Sequence, residues 1–201
     1  TSTVGVVDKP KSTTPIPNPW SVPTASWRNI SPEIRASLPN TILTCFFCVL
    51  FFLPYGTFGF FKYNNLKVGK SLVEENTNKI IEDIYKKAEL NNCEILIPED
   101  CVVGTNFDGE GKTINIDEVK DNEIILDIGK NTIKTIQKKI GESNTVLWNG
   151  PAGYFENENF SRGTLSIAEN ISKNTIERSL ISILGGGDTL AAINKSNNKL
   201  S

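Results

Sequence analysis

Twice in the second half of this chain a short apolar run ends in a glycine-rich turn and passes into a helical pattern. Thr145-Val-Leu-Trp148 leads into Asn149-Gly-Pro-Ala-Gly153, and the apolar run 180–184 leads into Gly185-Gly-Gly-Asp-Thr189. Strands alternating with helices in this way argue for an α/β fold, a parallel sheet with flanking helices. Such sheets bind ligands beyond the carboxyl ends of their strands. The pattern therefore sets both an architecture and the place to look for chemistry.

The alternation continues on either side. Ser71-Leu-Val-Glu74 has the capping-box form and predicts a helix start, with Val73, Ile80, Ile81, Ile84 and Ala88 on one helical face. Residues 93–97 predict a short strand stopped by Pro98, and 123–128 predict another. A helix carrying Ile133, Ile136 and Ile140 follows, with Gly141 as its C-terminal cap. Leu165, Ala168 and Ile171 mark one more helix.

The first 61 residues differ. They carry eight of the ten prolines and six of the 44 charged residues, and their first 40 show neither helical nor strand periodicity. A charge-free span runs over 36–61, centred on the apolar run 42–53. Twelve residues are short for a spanning helix, which needs about 20, and the longer span 42–61 contains Pro54, Gly56 and Gly59. A membrane anchor through 42–61, a buried hairpin or helix, and translated noncoding or frame-shifted sequence all remain open readings of this stretch. The absence of methionine, even at position 1, fits an incomplete chain.

Residue types narrow the chemistry. With no histidine anywhere, Ser-His-Asp and Cys-His nucleophiles, a histidine base and histidine metal sites are excluded. A net charge of −2 gives no basic surplus for nucleic acid. Cys45, Cys48, Cys93 and Cys101 form no disulfide or zinc pattern, and read as packing residues. Gly185 to Thr189 allows close backbone approach, and free amides at a helix start favour an anion, so this segment predicts a phosphate site. Asp188 is a natural N-cap and, with phosphate present, a magnesium ligand. Gly69-Lys70-Ser71 is not a P-loop, because Asn64 stands where its first glycine belongs.

Together these segments resemble phosphoglycerate kinase. VLWNGPAGYFE at 146–156 and ILGGGDT at 183–189 carry the resemblance. YNNLKVGKSLVEEN at 63–76, CEILIPEDCVV at 93–103 and ILDIG at 125–129 support it, in the family's order and spacing. The resemblance covers about 60–201 and does not reach 1–58. It implies two Rossmann-like domains, one for phosphoglycerate and one for nucleotide. It also implies magnesium-dependent phosphoryl transfer between 1,3-bisphosphoglycerate and ADP, giving 3-phosphoglycerate and ATP, in the cytoplasm as part of glycolysis. By that match Leu126 packs on the adenine, Pro151 lines the base and ribose, and Glu156 takes the ribose hydroxyls. Asn149 and Gly153 sit by the phosphates, Gly186 and Gly187 offer them backbone, Asp188 serves magnesium, and Thr189 contacts a phosphate.

Departures from the family are equally specific. Lys130 stands where a proline is usual, and Ile125 where glycine is often found. The substrate domain, the lysine-bearing opening of the nucleotide domain and the arginine used in catalysis have no counterpart in this sequence. The expectation is an incomplete α/β nucleotide-binding domain over 59–201, preceded by an unrelated Pro-rich and apolar segment over 1–58. It holds ATP or ADP with Mg2+ weakly and has no catalytic residue of its own. It would meet 3-phosphoglycerate only if the missing N-terminal domain were supplied. A membrane-tethered, non-catalytic nucleotide-binding module is the alternative. A dehydrogenase is disfavoured by the lack of a G-x-G-x-x-G turn.

Overall fold

The computed structural model describes residues 54–195. Its elements run α1 (Pro54–Tyr63), α2 (Asn78–Leu90), β1 (Asp100–Gly104), β2 (Lys112–Asn115), β3 (Ile124–Ile128), α3 (Lys130–Glu142), β4 (Thr145–Asn149), α4 (Arg162–Arg178), β5 (Ile181–Gly185) and α5 (Gly187–Lys195). Short 3-10 turns lie at Ile116–Glu118 and Glu158–Phe160.

The expected α/β class holds, with a division the sequence did not announce. β4 and β5 pair in parallel, Trp148 opposite Leu184 and Asn149 opposite Gly185. The other three strands form an antiparallel sheet in the order β2-β1-β3. Two apolar clusters follow this split. One gathers Ile133, Ile136 and Ile140 of α3, Val146 and Trp148 of β4, and Ile167 and Ile171 of α4. The other gathers Phe58 and Phe61 of α1 with Cys101, Val103, Ile114 and Val119. The end of the charge-free span is thus core. No helix among the described residues is long and apolar enough to cross a membrane. The run 42–53, Cys45 and Cys48 lie outside the described residues. Cys101 is a buried packing residue, and burial pushes its thiol up to about 12.

Several local expectations need correction. Residues 93–97 are not a strand: a ladder needs a neighbour, and no described strand runs beside them. They cross between the clusters as an unpaired connector, Leu96 against the first and Ile97 against the second. Ser71 starts no helix. Its hydroxyl accepts from the Ile125 amide at 2.9 Å, and Lys70 N–H donates to Glu123 O at 2.8 Å, so this segment lines the free edge of β3. Helix α2 begins at Asn78 instead. Val73 therefore belongs to no helix, and Ile80 is 60% exposed because the buried seam runs through Ile81 and Ala88. Gly141 lies within the last turn of α3, which ends at Ser143 with an ordinary negative φ. Asp188 is the second residue of α5 rather than the cap before it. The structure adds the β1–β2 hairpin, whose signal is Lys112-Thr-Ile-Asn-Ile116 alternating with period two behind an Asp108-Gly109 turn.

Helix α3 takes its cap from another element. Gly129 precedes it and has no side chain to offer. The carboxylate of Asp100, at the start of β1, accepts from Asn131 N–H at 3.0 Å and Thr132 N–H at 2.8 Å. The Thr132 hydroxyl donates to the same carboxylate at 2.7 Å. Burial works against the charge on Asp100, but these donors outweigh it and hold the carboxyl below its usual range. A Cβ on Gly129 would sit 2.2 Å from the Asp100 carboxyl carbon, so the cap requires glycine there.

Asp100→Ala is expected to cost about 1–2 kcal/mol through the lost cap, and Gly129→Ala about 1–3 kcal/mol through overpacking. Urea melts of the double variant should show less than the sum, with a coupling of about 1 kcal/mol or more. Additive costs would contradict the interlock.

Candidate functional site

The parallel register of β4 and β5 brings their carboxyl ends level, and both glycine-rich loops leave from there. Gly186 has φ +88° and Gly150 φ +99°, left-handed values that suit glycine at the two turns. The Asn149 side chain lies against the second loop: its Oδ1 would stand 2.8 Å from a Cβ on Gly186 and 3.2 Å from one on Gly185. Thr189 crosses between the loops. It is fully buried, and its hydroxyl oxygen accepts from Gly150 N–H at 2.7 Å. Trp148 steadies the same turn by donating its Nε1–H to Gly150 O at 2.7 Å. Asn149, Gly186 and Thr189 are therefore one assembly.

Gly187 is different. A Cβ there would meet nothing within 4 Å. The chain's own packing does not demand glycine at this position, which opens α5 with Asp188, exposed, beside it. Among the described residues no side chain caps the first amides of α5, so the helix presents N–H groups and the positive end of its dipole outward.

The first loop is clamped from below. Tyr154 N–H donates to Leu126 O at 2.7 Å, joining the loop to β3. Ala152 N–H and Gly153 N–H both reach the Thr164 hydroxyl, at 2.9 and 3.3 Å. Asp127, 2% exposed, accepts from Gly163 N–H at 2.8 Å and from Ile128 N–H at 2.8 Å. Burial is the dominant influence on its carboxyl and pushes it up to about 7, against the pull of those two amides. Asp127 and Thr164 were not among the residues expected from sequence. Apart from the adjacent Ile128, their partners lie 36 positions away for Asp127 and 11 or 12 for Thr164, outside the local patterns read above.

The remaining expected residues are more dispersed. Leu126 is buried at 5% exposure, its Cδ1 2.9 Å from where a Cβ on Gly104 would be. Pro151 is half-buried in the first loop. Glu156 is exposed on a shallow depression of about 420 Å³ shared with Asp108, Tyr154, Asn157, Glu158 and Asn159. Neither Asn149 nor the Gly185–Thr189 turn lines that depression. No group of three or more acidic or thiol side chains suited to a metal ion occurs among the described residues, so an ion at Asp188 would need oxygens from a ligand.

Thr189→Val keeps the shape of the buried side chain and removes the acceptor for Gly150. It is expected to lower stability by about 1–3 kcal/mol, the cost of an unsatisfied buried donor, while Thr189→Ser stays near wild type in thermal melts. A Val variant as stable as wild type would show that the hydroxyl does not tie the loops.

Known proteins share this arrangement of segments. A family model described as phosphoglycerate kinase matches residues 56–201. The phosphoglycerate kinase of Wolbachia pipientis subsp. Culex pipiens is 42% identical over 136 residues, covering 67% of this chain and 34% of that protein. That of Xanthobacter flavus is 42% identical over 130 residues, 64% of this chain and 33% of its own. The solved structure of phosphoglycerate kinase from Coxiella burnetii superposes with a TM-score of 0.65 at 37% identity, covering 70% of this chain and 36% of that one. The chain thus spans about a third of the length of the relatives it matches. With the family model covering well over half of its residues, the chain belongs to the phosphoglycerate kinase family.

Proposed function

We propose that residues 59–201 form a partial nucleotide-binding domain for the family's reaction, transfer of a phosphoryl group between 1,3-bisphosphoglycerate and ADP. The observation that carries this reading is the open start of α5. Gly187 has clear space above it, Asp188 stands exposed beside it, and the two glycine loops meet at the ends of β4 and β5. Oriented amides at a helix start favour a phosphate chain. The nucleotide's phosphates lie over Gly186 and Gly187, with Asn149 and Gly153 beside them. Thr189 contributes to the phosphate site from below, its hydroxyl tying the loops. Leu126 and Pro151 face the adenine and ribose, and Glu156 accepts from the ribose hydroxyls.

Magnesium suits Asp188. This ion is commonly held by one or two carboxylates plus phosphate oxygens and water, and a single exposed carboxylate beside the phosphate site meets that need. The ion would neutralise phosphate charge. Phosphoryl transfer also depends on cationic groups around the transferring phosphoryl. Neither the loop 149–153 nor the loop 185–189 contains a lysine or arginine. These two loops bind nucleotide but supply no such cation, so residues 59–201 by themselves do not turn over, and 3-phosphoglycerate is engaged only where a substrate domain is supplied. Its place is the cytoplasm, with glycolysis. The 59–201 boundary reads a little late, because the family match begins at residue 56 and Phe58 packs into the core; the Pro-rich segment outside the family's pattern is 1–55. A membrane tether through 42–61 is the second reading, and the packing of Phe58 and Phe61 into the core speaks against the end of that span lying in lipid.

Calorimetric titration of the 201-residue chain with Mg-ADP should give weak, saturable heat. Asp188→Asn should weaken binding about tenfold with magnesium present and much less in EDTA, while a coupled assay shows no turnover. A folded sample giving no heat at millimolar Mg-ADP would remove the binding claim, and turnover like that of complete enzymes would remove the claim of inactivity.

A further inference from the structure

Asp127 takes no part in the roles assigned above, yet two glycines from different segments are shaped around it. A Cβ on Gly153 would lie 2.4 Å from its Oδ1, and a Cβ on Gly163 would lie 2.3 Å from the same atom. Gly153 belongs to the first loop, and Gly163 is the second residue of α4. The helix has no cap of its own, since Ser161 makes no side-chain capping bond. Oδ2 of Asp127 supplies one through Gly163 N–H, and Oδ1 accepts from Ile128 N–H. One residue upstream, Leu126 O takes the Tyr154 amide immediately after Gly153. Loop, helix start and strand end thus converge on one carboxyl group.

We infer that Asp127 is a positioning residue for the nucleotide loop, and that the proton on its carboxyl couples loop geometry to pH. The inference rests on the nucleotide reading of that loop. The elements packed around the group are β1, with Val102 opposite it, the first loop, and the start of α4. The charged residues of the adjoining turn, Glu158 and Arg162, are exposed, and Arg162 makes no ion pair with Asp127. With a folded-state value of about 7, above the ordinary carboxyl value, Asp127 keeps its proton in mildly acid solution and loses it as pH rises through neutrality. The buried negative charge that results lies against Gly153, the loop residue placed beside the phosphates. Nucleotide affinity therefore falls as pH rises, and Asp127→Asn, permanently neutral, escapes that loss.

Two measurements test this. In ligand-free wild type, the Ile128, Gly153 and Gly163 amide resonances should share one pH transition near neutrality. Three amides with no common transition between pH 5 and 8.5 would overturn the inference without reference to any nucleotide. Next, Mg-ADP dissociation constants are measured for wild type and Asp127→Asn at pH 6 and pH 8. Their ratio at each pH cancels the ligand's own titration. The wild-type to variant ratio should rise threefold or more from pH 6 to pH 8, a change that a purely structural role would not produce. A constant ratio in two folded, binding proteins would overturn the positioning role. Absence of binding by either protein would instead overturn the nucleotide reading, and the coupling to ligand with it. If Asp127→Asn does not fold, the wild-type amide transition alone decides.

Discussion

Two strand-borne aspartates cap two helices that cannot cap themselves, and much of the site's geometry follows from this. Asp100 on β1 closes the start of α3, and Asp127 on β3 closes the start of α4. In both cases the residue or residues against the carboxylate are glycines: Gly129 for Asp100, Gly153 and Gly163 for Asp127. A carboxylate at a helix N-terminus satisfies amides that otherwise lack partners and complements the helix dipole. Here it also fixes which strand each helix sits on. The two groups pay for burial differently: donors outnumber the penalty at Asp100 and depress its pKa, whereas burial prevails at Asp127 and raises it.

That arrangement gives the third helix start its meaning. Helices α3 and α4 have their first amides occupied from within the fold. Helix α5 leaves the end of β5 with Gly187 bare above and Asp188 exposed. The Thr189 hydroxyl, which could have turned back to its own helix, is instead buried and bound to Gly150 of the neighbouring loop. The fold thus holds the two loops together while leaving the start of one helix open. This is the physical content of the family's glycine-rich motifs in this chain: Gly186 serves a turn, while Gly187 serves an open surface.

What could be read from sequence was what is local. Strand β4 and strand β5 announce themselves through contiguous apolar runs and glycines, and the structure places them within a residue of expectation, whereas the helix after them starts at Gly187, ahead of the cap expected at Asp188. The long-range pairs were invisible. Asp100 and Thr132 are 32 positions apart, and Asp127 and Gly163 are 36 apart, so no window contains both members. Ser71 misled for the same reason. Its spacing to Glu74 satisfies a local capping rule, but its partner is the Ile125 amide, 54 positions away on an otherwise open strand edge. Residues 93–97 have a strand's composition without a strand's neighbour, and composition alone does not supply one.

The division between filled and open helix starts is tested most directly by following backbone amide resonances as Mg-ADP is added to the 201-residue chain. The account predicts that the amides of Gly186, Gly187 and Asp188 shift in step with binding, while those of Asn131 and Thr132, held by Asp100, stay where they are. Shifts at the start of α3 with none at the start of α5 would contradict it.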